Sequence, residues 1–422
     1  MARNRSKILV VLPTMWDRKQ LEACRADWAA RFEFEFAQPS DADCSAWFDA
    51  LTFIQDTAAR GDIAGVISSS DYPGATIAAG IAARSGLPGP DPAALMRAAQ
   101  KLTSRELQRA VVPEATPKFC LVDPDDLHVP EIGFPCFVKP VKGAFSMFAR
   151  RVDSMAELRA HLDRPEVREF CTEFLAIFNA LWQHFVAEPV NGRFFIAEEV
   201  LTGAQVTVEG FVADAEPVIC GVVDSEFHPG GRSFSRFVYP SRLPADVQGR
   251  MADIARRCVA GMGLRHCSFN IEMTWDAASG RVGIIEVNPR ICGQFGDLYQ
   301  KVDGANAYVA LAEVSTGNTP QWPRGKGRFR YAASVPLRVM RTSRLVAAPD
   351  DARVREVEGA FPGTLAWNEY AAGAQLNEFT FEDGASQRYA VINLGAESPE
   401  ALEKKAREVV GALGYRVEPI SP

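Results

Sequence analysis

Several features that would assign this chain of 422 residues to a familiar class are missing from its sequence. No run of about 18 apolar residues is present, so no membrane-spanning helix and no membrane partner are expected. The nine cysteines include no Cys-x-x-Cys pair, which argues against a zinc site and is typical of reduced thiols in a cytoplasmic protein. The apolar stretch at residues 8–11 is too short for a signal peptide, which also favours a cytoplasmic location.

Positive charge is not in excess either. The formal net charge of −7 argues against nucleic acid as the main partner. A Gly-x-x-x-x-Gly-Lys-Ser/Thr loop, the commonest phosphate-binding motif, is also absent. What remains is an apolar fraction of 47% and a charged fraction of 23%, which are typical of a globular protein with a sizeable core.

The length predicts two or three domains. Residues 1–92 alternate strand-like and helix-like segments, which predicts a βαβ layer with a parallel sheet. Its polar loop at 68–71 follows a strand, and we expect Ser70 or Asp71 to cap the next helix. Segments rich in glycine and proline at 86–92 and 322–327 divide this layer from a central domain, 93–322, and a small C-terminal α+β domain, 323–422.

The strongest functional signal is a pair of strand-like segments, residues 269–273 and 284–290, with turn residues between them. Side chains alternate along a strand, so Glu286, Asn288 and Arg290 share one face. These polar residues interrupt runs that are otherwise typical of buried strands. Arg290, at the end of this face, is a cation suited to binding an anion.

The register of this hairpin decides what its acidic residues can do. If Asp276 pairs with Val282, then Glu272 lies directly opposite Glu286. Two carboxylates that close repel each other, whereas a Mg²⁺ ion between them would be bound. The amide oxygen of Asn288 is a third ligand of the same hard type. The segments therefore predict a Mg²⁺ site, and the alternative is a solvated hairpin with ordinary surface charges.

Other segments offer groups for binding phosphate and a purine, although each is weak by itself. Lys139 ends an apolar strand, and Gly143 opens a loop with Ser146 whose backbone N–H groups could cover phosphates. The pair Glu198 and Glu199 ends another apolar strand, where it could hold an exocyclic amine. Two exposed glutamates are the alternative.

Taken in order, these elements resemble the ATP-grasp superfamily from about residue 95 to 317, and the carboxylate–amine ligase branch with its L-amino-acid ligases in particular. The resemblance implies an ATP-grasp fold of two α+β subdomains, preceded by the βαβ (pre-ATP-grasp) domain and followed by the small α+β domain. It also implies ATP and Mg²⁺ or Mn²⁺ as cofactors. The implied ATP-binding residues are Lys101, Lys139, Ser146, Glu198, Glu199, Val200 and Leu201.

The same resemblance implies that Glu272, Glu286 and Asn288 hold the metal and that Arg290 stabilises an acyl phosphate. Two departures stand out. Gln205 occupies the place where relatives often carry an acidic residue for the ribose. The loop at 143–148 is also bulkier than the usual glycine-rich flap, which puts its fast motion in doubt.

The predicted reaction is ATP-dependent activation of a carboxylate as an acyl phosphate, followed by attack of an amine, with ADP and phosphate released. The alternatives are a carboxylase acting through carboxyphosphate and a nucleotide-binding protein without turnover. The partners would be small-molecule acids and amines, and a homodimer is the assembly we expect. The candidate substrate residues are Arg232, Arg236, Gln294 and Asp297.

Overall fold

The chain forms four β-sheets with helices packed on them, in a computed structural model that describes residues 5–39, 48–143, 146–214, 216–231, 233–377 and 386–420. Within these ranges no helix is long and apolar enough to cross a bilayer. The eight cysteines that fall in the same ranges are all free thiols.

The N-terminal layer contains three strands and four helices: β1 (Ser6–Val11), α1 (Met15–Ala23), α2 (Arg25–Trp28), β2 (Phe32–Ala37), α3 (Ala50–Ala58), β3 (Gly65–Ile67) and α4 (Gly74–Ser85). The strands lie parallel in the order β2-β1-β3, which confirms the predicted βαβ layer. Helix α1 begins where Thr14 and Asp17 satisfy each other's backbone N–H groups in a capping box.

A second, antiparallel sheet has the order β4-β7-β5-β6. Its strands and the surrounding helices are α5 (Pro92–Ala99), α6 (Lys101–Val111), β4 (Phe119–Val122), β5 (Cys136–Pro140), β6 (Arg150–Val152), α7 (Met155–Leu162), α8 (Pro165–Glu169), a π-helix (Phe170–Phe174), α9 (Ala176–Phe185) and β7 (Phe195–Glu198). The sequence over 93–109 predicts a single helix, and the structure breaks it at Gln100. The Gln100 side chain caps α6 by accepting from the Thr103 N–H at 2.9 Å. This break places Lys101 at the start of a new helix.

The remaining elements build a large sheet and a small one. They are β8 (Ala204–Val212), β9 (Pro217–Phe227), β10 (Phe234–Tyr239), α10 (Ala245–Gly261), β11 (Cys267–Trp275), β12 (Val282–Asn288), α11 (Gly296–Val302), α12 (Ala307–Ser315), β13 (Tyr331–Val339), β14 (Ser343–Ala347), α13 (Asp351–Ala360), β15 (Thr364–Asn368), β16 (Gln375–Leu376), β17 (Gln387–Ala396), α14 (Pro399–Leu413) and β18 (Arg416–Pro419).

Eight of these strands form one antiparallel sheet in the order β12-β11-β8-β9-β10-β13-β17-β15, and β16-β14-β18 form the small sheet. The large sheet continues through the predicted boundary at residue 322, because β10 pairs with β13. The domain boundaries themselves stay a prediction.

The two faces of the large sheet differ in chemistry near the β11–β12 hairpin. Helix α10 covers one face with an apolar stripe, which the spacing of the apolar residues over 245–263 predicts. Its Met251 and Cys258 pack in one core with Val206 and Val208 of β8. The opposite face carries the polar side chains of β8, β11 and β12. This second face holds the candidate site.

Candidate functional site

The β11–β12 hairpin places Glu272 directly opposite Glu286, as predicted, but by a different route from the one assumed. Val282 pairs with Trp275 and not with Asp276. A β-bulge then inserts one extra residue, Ile285, between the pairs, and this restores the facing glutamates. We call Glu272 and Glu286 the acidic pair.

The acidic pair is half-buried, and the pKa values of its two members shift in opposite directions. Burial raises the pKa of Glu272 well above its usual value, and the charge of Glu286 raises it further. Burial also acts to raise the pKa of Glu286, but the ammonium groups of Lys101 and Lys139 outweigh it and hold that pKa low. The arrangement therefore keeps at least one carboxylate charged at neutral pH.

Neighbouring amides complete the polar surface around the acidic pair. Asn288 donates from Nδ2 to Glu286 Oε1 at 3.2 Å, and Gln205 donates from Nε2 to Glu272 Oε2 at 2.9 Å. Among the residues that the structure describes, no group of three or more His, Cys, Asp or Glu side chains is placed so that it could hold a metal ion by itself. Two carboxylates and an amide fit a Mg²⁺ ion that takes its other ligands from water and phosphate oxygens.

Two lysines flank the acidic pair. Lys101 Nζ lies 3.3 Å from Glu286 Oε2 and donates to the carbonyl of Gly143 at 3.4 Å. Lys139 Nζ donates to the carbonyl of Ile285, the bulged residue, at 3.1 Å. The bulge thus directs the carbonyl oxygen of Ile285 toward the ammonium group of Lys139. This cation is buried, since only 5% of Lys139 is exposed.

Glu198 is held by two cations in the interior. Arg105 Nε lies 2.8 Å from Glu198 Oε1, Arg105 Nη2 lies 3.2 Å from Oε2, and Lys139 Nζ lies 2.8 Å from Oε2. Arg105 also donates to the Ile285 carbonyl at 2.6 Å and to Gln108. Burial acts to raise the pKa of Glu198, but the two cations outweigh it and lower that pKa.

Sequence reasoning missed Arg105. Its signal was present, because it lies four residues after Lys101 and residues at that spacing share one face of a helix. What the sequence could not give was the partner, which lies 93 positions further along the chain.

The residues after Glu198 take separate positions. Glu199 turns outward, where it pairs with Arg281 and accepts from the Lys118 N–H at 2.8 Å. Val200 and Leu201 are half-buried beside it. Such a strand end, with its backbone groups and apolar side chains, suits a flat aromatic base.

The loop predicted to cover phosphates, residues 143–148, belongs only in part to the described residues. Residues 144 and 145 lie outside the described residues. Ser146 is exposed, with a φ of 54° in the left-handed region. Phe148, at the end of the loop, is buried.

Arg290 reaches an acidic residue of the N-terminal layer. Its Nε lies 3.8 Å from Asp71 Oδ1, and Lys142 Nζ lies 2.8 Å from Asp71 Oδ2. The prediction that Asp71 or Ser70 caps a helix was wrong, because Pro73 is the N-cap residue of α4 and no side chain caps that end.

The substrate residues predicted from the sequence do not lie together in the structure. Arg232 lies outside the described residues. The sequence over 224–242 predicts a long loop, but the structure has largely the β9–β10 hairpin there, in which Arg236 pairs with Glu226. The position in register with Glu272 on β9 is Val223, reached through Thr207. Glu226 is three residues from Val223, so Arg236 lies on the opposite face of the sheet from the acidic pair.

Arg236 instead borders a cavity of about 290 Å³ between the sheet and α14, away from the hairpin. Asp297 is also engaged elsewhere, because it is buried and accepts from Gln20 of α1 at 3.1 Å and pairs with Lys301. Gln294 donates to Ser334 Oγ at 2.8 Å on β13. Ser334 lies on the same face as the acidic pair, and a substrate role of the buried Gln294 stays a prediction.

Comparison with known proteins shows which known domain this part of the chain matches. Residues 132–297 match the family model of the ATP-grasp domain. The chain carries an ATP-grasp domain. Its match includes Lys139, Glu198, the acidic pair and Arg290, and Lys101 precedes it.

The relatives agree with this assignment. An uncharacterized protein, y4rH, from Sinorhizobium fredii is 29% identical over 262 residues, which are 60% of this chain and 49% of that protein. A D-alanine–D-alanine ligase from Aromatoleum aromaticum is 27% identical over 186 residues, 41% of this chain and 50% of the ligase. The chain thus spans about half the length of these curated relatives.

A crystal structure of an L-amino acid ligase from Bacillus licheniformis has the same fold as this chain. The TM-score is 0.70 at 16% identity, over 98% of this chain and 99% of that one. At this level of identity the likeness shows the fold alone. The predicted ATP-grasp fold, with its N-terminal βαβ layer, is confirmed.

Proposed function

We propose that this protein is an ATP-dependent ligase that activates a carboxylate as an acyl phosphate and joins it to an amine, with release of ADP and phosphate. One observation carries the proposal. The acidic pair Glu272 and Glu286 lies half-buried among three cations, Lys101, Lys139 and Arg290, whose charges act on it.

The cations have a consistent use in that reaction. ATP brings several negative charges into a site with little water, and a buried ammonium or guanidinium group stabilises such charge strongly. Lys101 and Lys139 are proposed to contact the phosphates, with Ser146 in the loop above them. Arg290 is proposed to stabilise the acyl phosphate and the oxyanion formed when the amine attacks its carbonyl carbon.

The acidic pair and Asn288 are proposed to hold Mg²⁺. The bound metal would neutralise charge on the phosphates. Gln205 contributes indirectly, because its amide fixes one oxygen of Glu272 and leaves the other for a ligand. We therefore assign Gln205 to the metal site, in place of the ribose contact expected from the resemblance.

The adenine is proposed to lie against Glu199, Val200 and Leu201. Glu198 was expected to accept from the adenine amino group. Both of its oxygens already accept from Arg105 or Lys139, so an adenine amine would share an oxygen with one of them. Glu198 would then position Lys139 as well as touch the base.

The reaction class also draws on the relatives. A D-alanine–D-alanine ligase among them joins two amino acids, as its name states, and we carry only the class, carboxylate with amine, to this chain. Acyl phosphates hydrolyse in water, so such a site must exclude water during the reaction. The buried Phe148, at the end of the loop, suits that need.

The test is a Glu286→Gln variant in assays of ADP and phosphate release with a panel of small acids and amines. We expect turnover that needs both co-substrates, and a loss of at least ~10²-fold in the variant because the acidic pair loses a metal-binding charge. The matched control is Glu114→Gln, which removes a surface glutamate paired with Arg257 and should leave turnover within about twofold.

Two results would contradict the proposal. Release of AMP and pyrophosphate would exclude an acyl phosphate as intermediate. Full activity of Glu286→Gln, with Mg²⁺ still required, would remove the acidic pair from the metal site.

A further inference from the structure

A buried ion pair joins the N-terminal layer to the ATP-grasp domain beside Arg290. Asp71 follows strand β3, and Lys142 follows strand β5. The Lys142 side chain is 4% exposed and the Asp71 side chain 12% exposed, with 2.8 Å between Nζ and Oδ2. Burial acts to raise the pKa of Asp71, but Lys142 and Arg290 outweigh it and the pKa lies below its usual value.

Lys142 also borders the candidate site. It lines one small cavity together with Lys101, Gly143, Glu286 and Asn288. This cavity is the place where phosphate oxygens would meet the acidic pair under the proposed function. Lys142 is therefore a cation of the same site, and it belongs to neither the metal ligands nor the lysines predicted from sequence.

The net charge around Asp71 explains why one carboxylate serves two cations. Lys142 and Arg290 carry two positive charges and Asp71 one negative charge, so the group is left with a single positive charge for an incoming anion. An ion pair that only joined the N-terminal layer to the ATP-grasp domain would need one cation for the single carboxylate of Asp71. Here the second cation, Arg290, lies 3.8 Å from the other carboxylate oxygen.

Resting on the proposed function, we propose that Lys142 contacts the phosphoryl group transferred from ATP and that Asp71 is a positioning residue for both Lys142 and Arg290. In that reaction a carboxylate oxygen bonds to the γ-phosphorus while the bond to the β–γ bridging oxygen breaks, and ADP leaves with that electron pair. Lys142 stabilises the charge on the moving phosphoryl oxygens.

In the second step the amine nitrogen bonds to the acyl carbon, and the carbon–oxygen bond to phosphate breaks with its electron pair on phosphate. The extra proton of the nitrogen passes to phosphate or solvent. Arg290, held by Asp71, faces the carbonyl oxygen as it becomes negative. Asp71 touches no reacting atom in either step.

The experiment compares the wild-type protein with Lys142→Met, Asp71→Asn and the double variant, in assays of ADP release over a range of ATP concentrations. We expect Lys142→Met to lower kcat by about 10²- to 10³-fold, as for loss of one charge-stabilising donor. Asp71→Asn should lower kcat by about 10- to 100-fold, as for loss of a supporting group. The KM for ATP should stay within about threefold in both.

Two further measurements separate positioning from mere stability. The double variant should be no slower than Lys142→Met within about threefold, because residues that act as a unit are not additive. Lys142→Arg should recover part of kcat. The matched control is Asp303→Asn, which removes a buried aspartate paired with Arg324 outside the candidate site and should keep kcat within about twofold.

Thermal denaturation is used to check that the variants are folded. The inference is overturned if folded Lys142→Met or Asp71→Asn turns over at the wild-type rate, or if the two losses in kcat multiply in the double variant. It is also overturned if kcat in all variants, including the control, falls only in proportion to the folded fraction. The proposed function fails separately, and visibly, if the wild-type protein releases no ADP with any acid and amine pair.

Discussion

Replacement of Arg105 by Met tests whether the interior cluster with Glu198 holds the nucleotide end of the ATP-grasp domain together. Only 1% of Arg105 is exposed, and its guanidinium donates to Glu198 twice and to the Ile285 carbonyl once. Removal of one partner from a buried ion pair costs about 3–5 kcal/mol, because the other charge remains buried without it.

The structure places the expected loss near the lower end of that range. Lys139 still donates to Glu198 at 2.8 Å and to the Ile285 carbonyl at 3.1 Å, so neither acceptor is left without a donor. We expect the free energy of unfolding in urea to fall by ~3 kcal/mol. We also expect a weaker affinity for an unhydrolysable ATP analogue, since Lys139 is drawn toward Glu198.

A matched control lies on the preceding helix. Arg97 pairs with Glu188 at 2.9 Å, and both side chains are more than one-third exposed. Arg97→Met should therefore change the free energy of unfolding by less than ~1 kcal/mol. A loss below 1 kcal/mol for Arg105→Met, with unchanged nucleotide affinity, would refute the reasoning.

Two other predictions concern stability. Burial lowers the pKa of His161 to about 4. Between pH 6.5 and 4 the unfolded chain therefore binds more protons than the folded one. The free energy of unfolding should fall by up to ~3 kcal/mol as the pH drops through that window. His161→Leu should flatten this part of a urea-denaturation pH profile, whereas the exposed His128→Leu should not; equal profiles for all three proteins would contradict the burial argument. Gly203 has a φ of 105°, and a Cβ there would lie 2.2 Å from a backbone oxygen, so Gly203→Ala should lower stability by more than ~2 kcal/mol. Gly280→Ala, with a φ of 71° and open space, isolates the cost of the backbone conformation, and an equal loss in both variants would show that the close contact has no effect.

Much of the fold could be predicted because its signals are local. The alternation of strands and helices in the first ninety residues, and the apolar stripe of α10, follow from periods of two and about four residues. The facing of Glu272 and Glu286 was also predictable, because both lie in short strands joined by a turn. The register assumed at the turn was nevertheless wrong by one residue, and the bulge corrected it.

What could not be predicted depends on contacts between distant segments. Asp71 and Lys142 are 71 positions apart, and no sequence period relates the end of one sheet to the end of another. The face on which Arg236 lies required the register of β8, β9 and β10 together. A carboxylate in a loop after a strand was read as a helix cap because that is its commonest local role.

The bulge at Ile285 has a consequence for how this site can change. Its contribution is a backbone carbonyl, which every amino acid supplies, so the identity of the side chain at 285 matters less than the number of residues between Val282 and Glu286. Point substitution would leave the oxygen in place. Deletion of a single residue would abolish the bulge and with it the extra carbonyl, because Glu286 would then follow Ile284 directly and face Glu272 in the regular register. This part of the site is therefore encoded by spacing, and a comparison that counts only identical letters would overlook it.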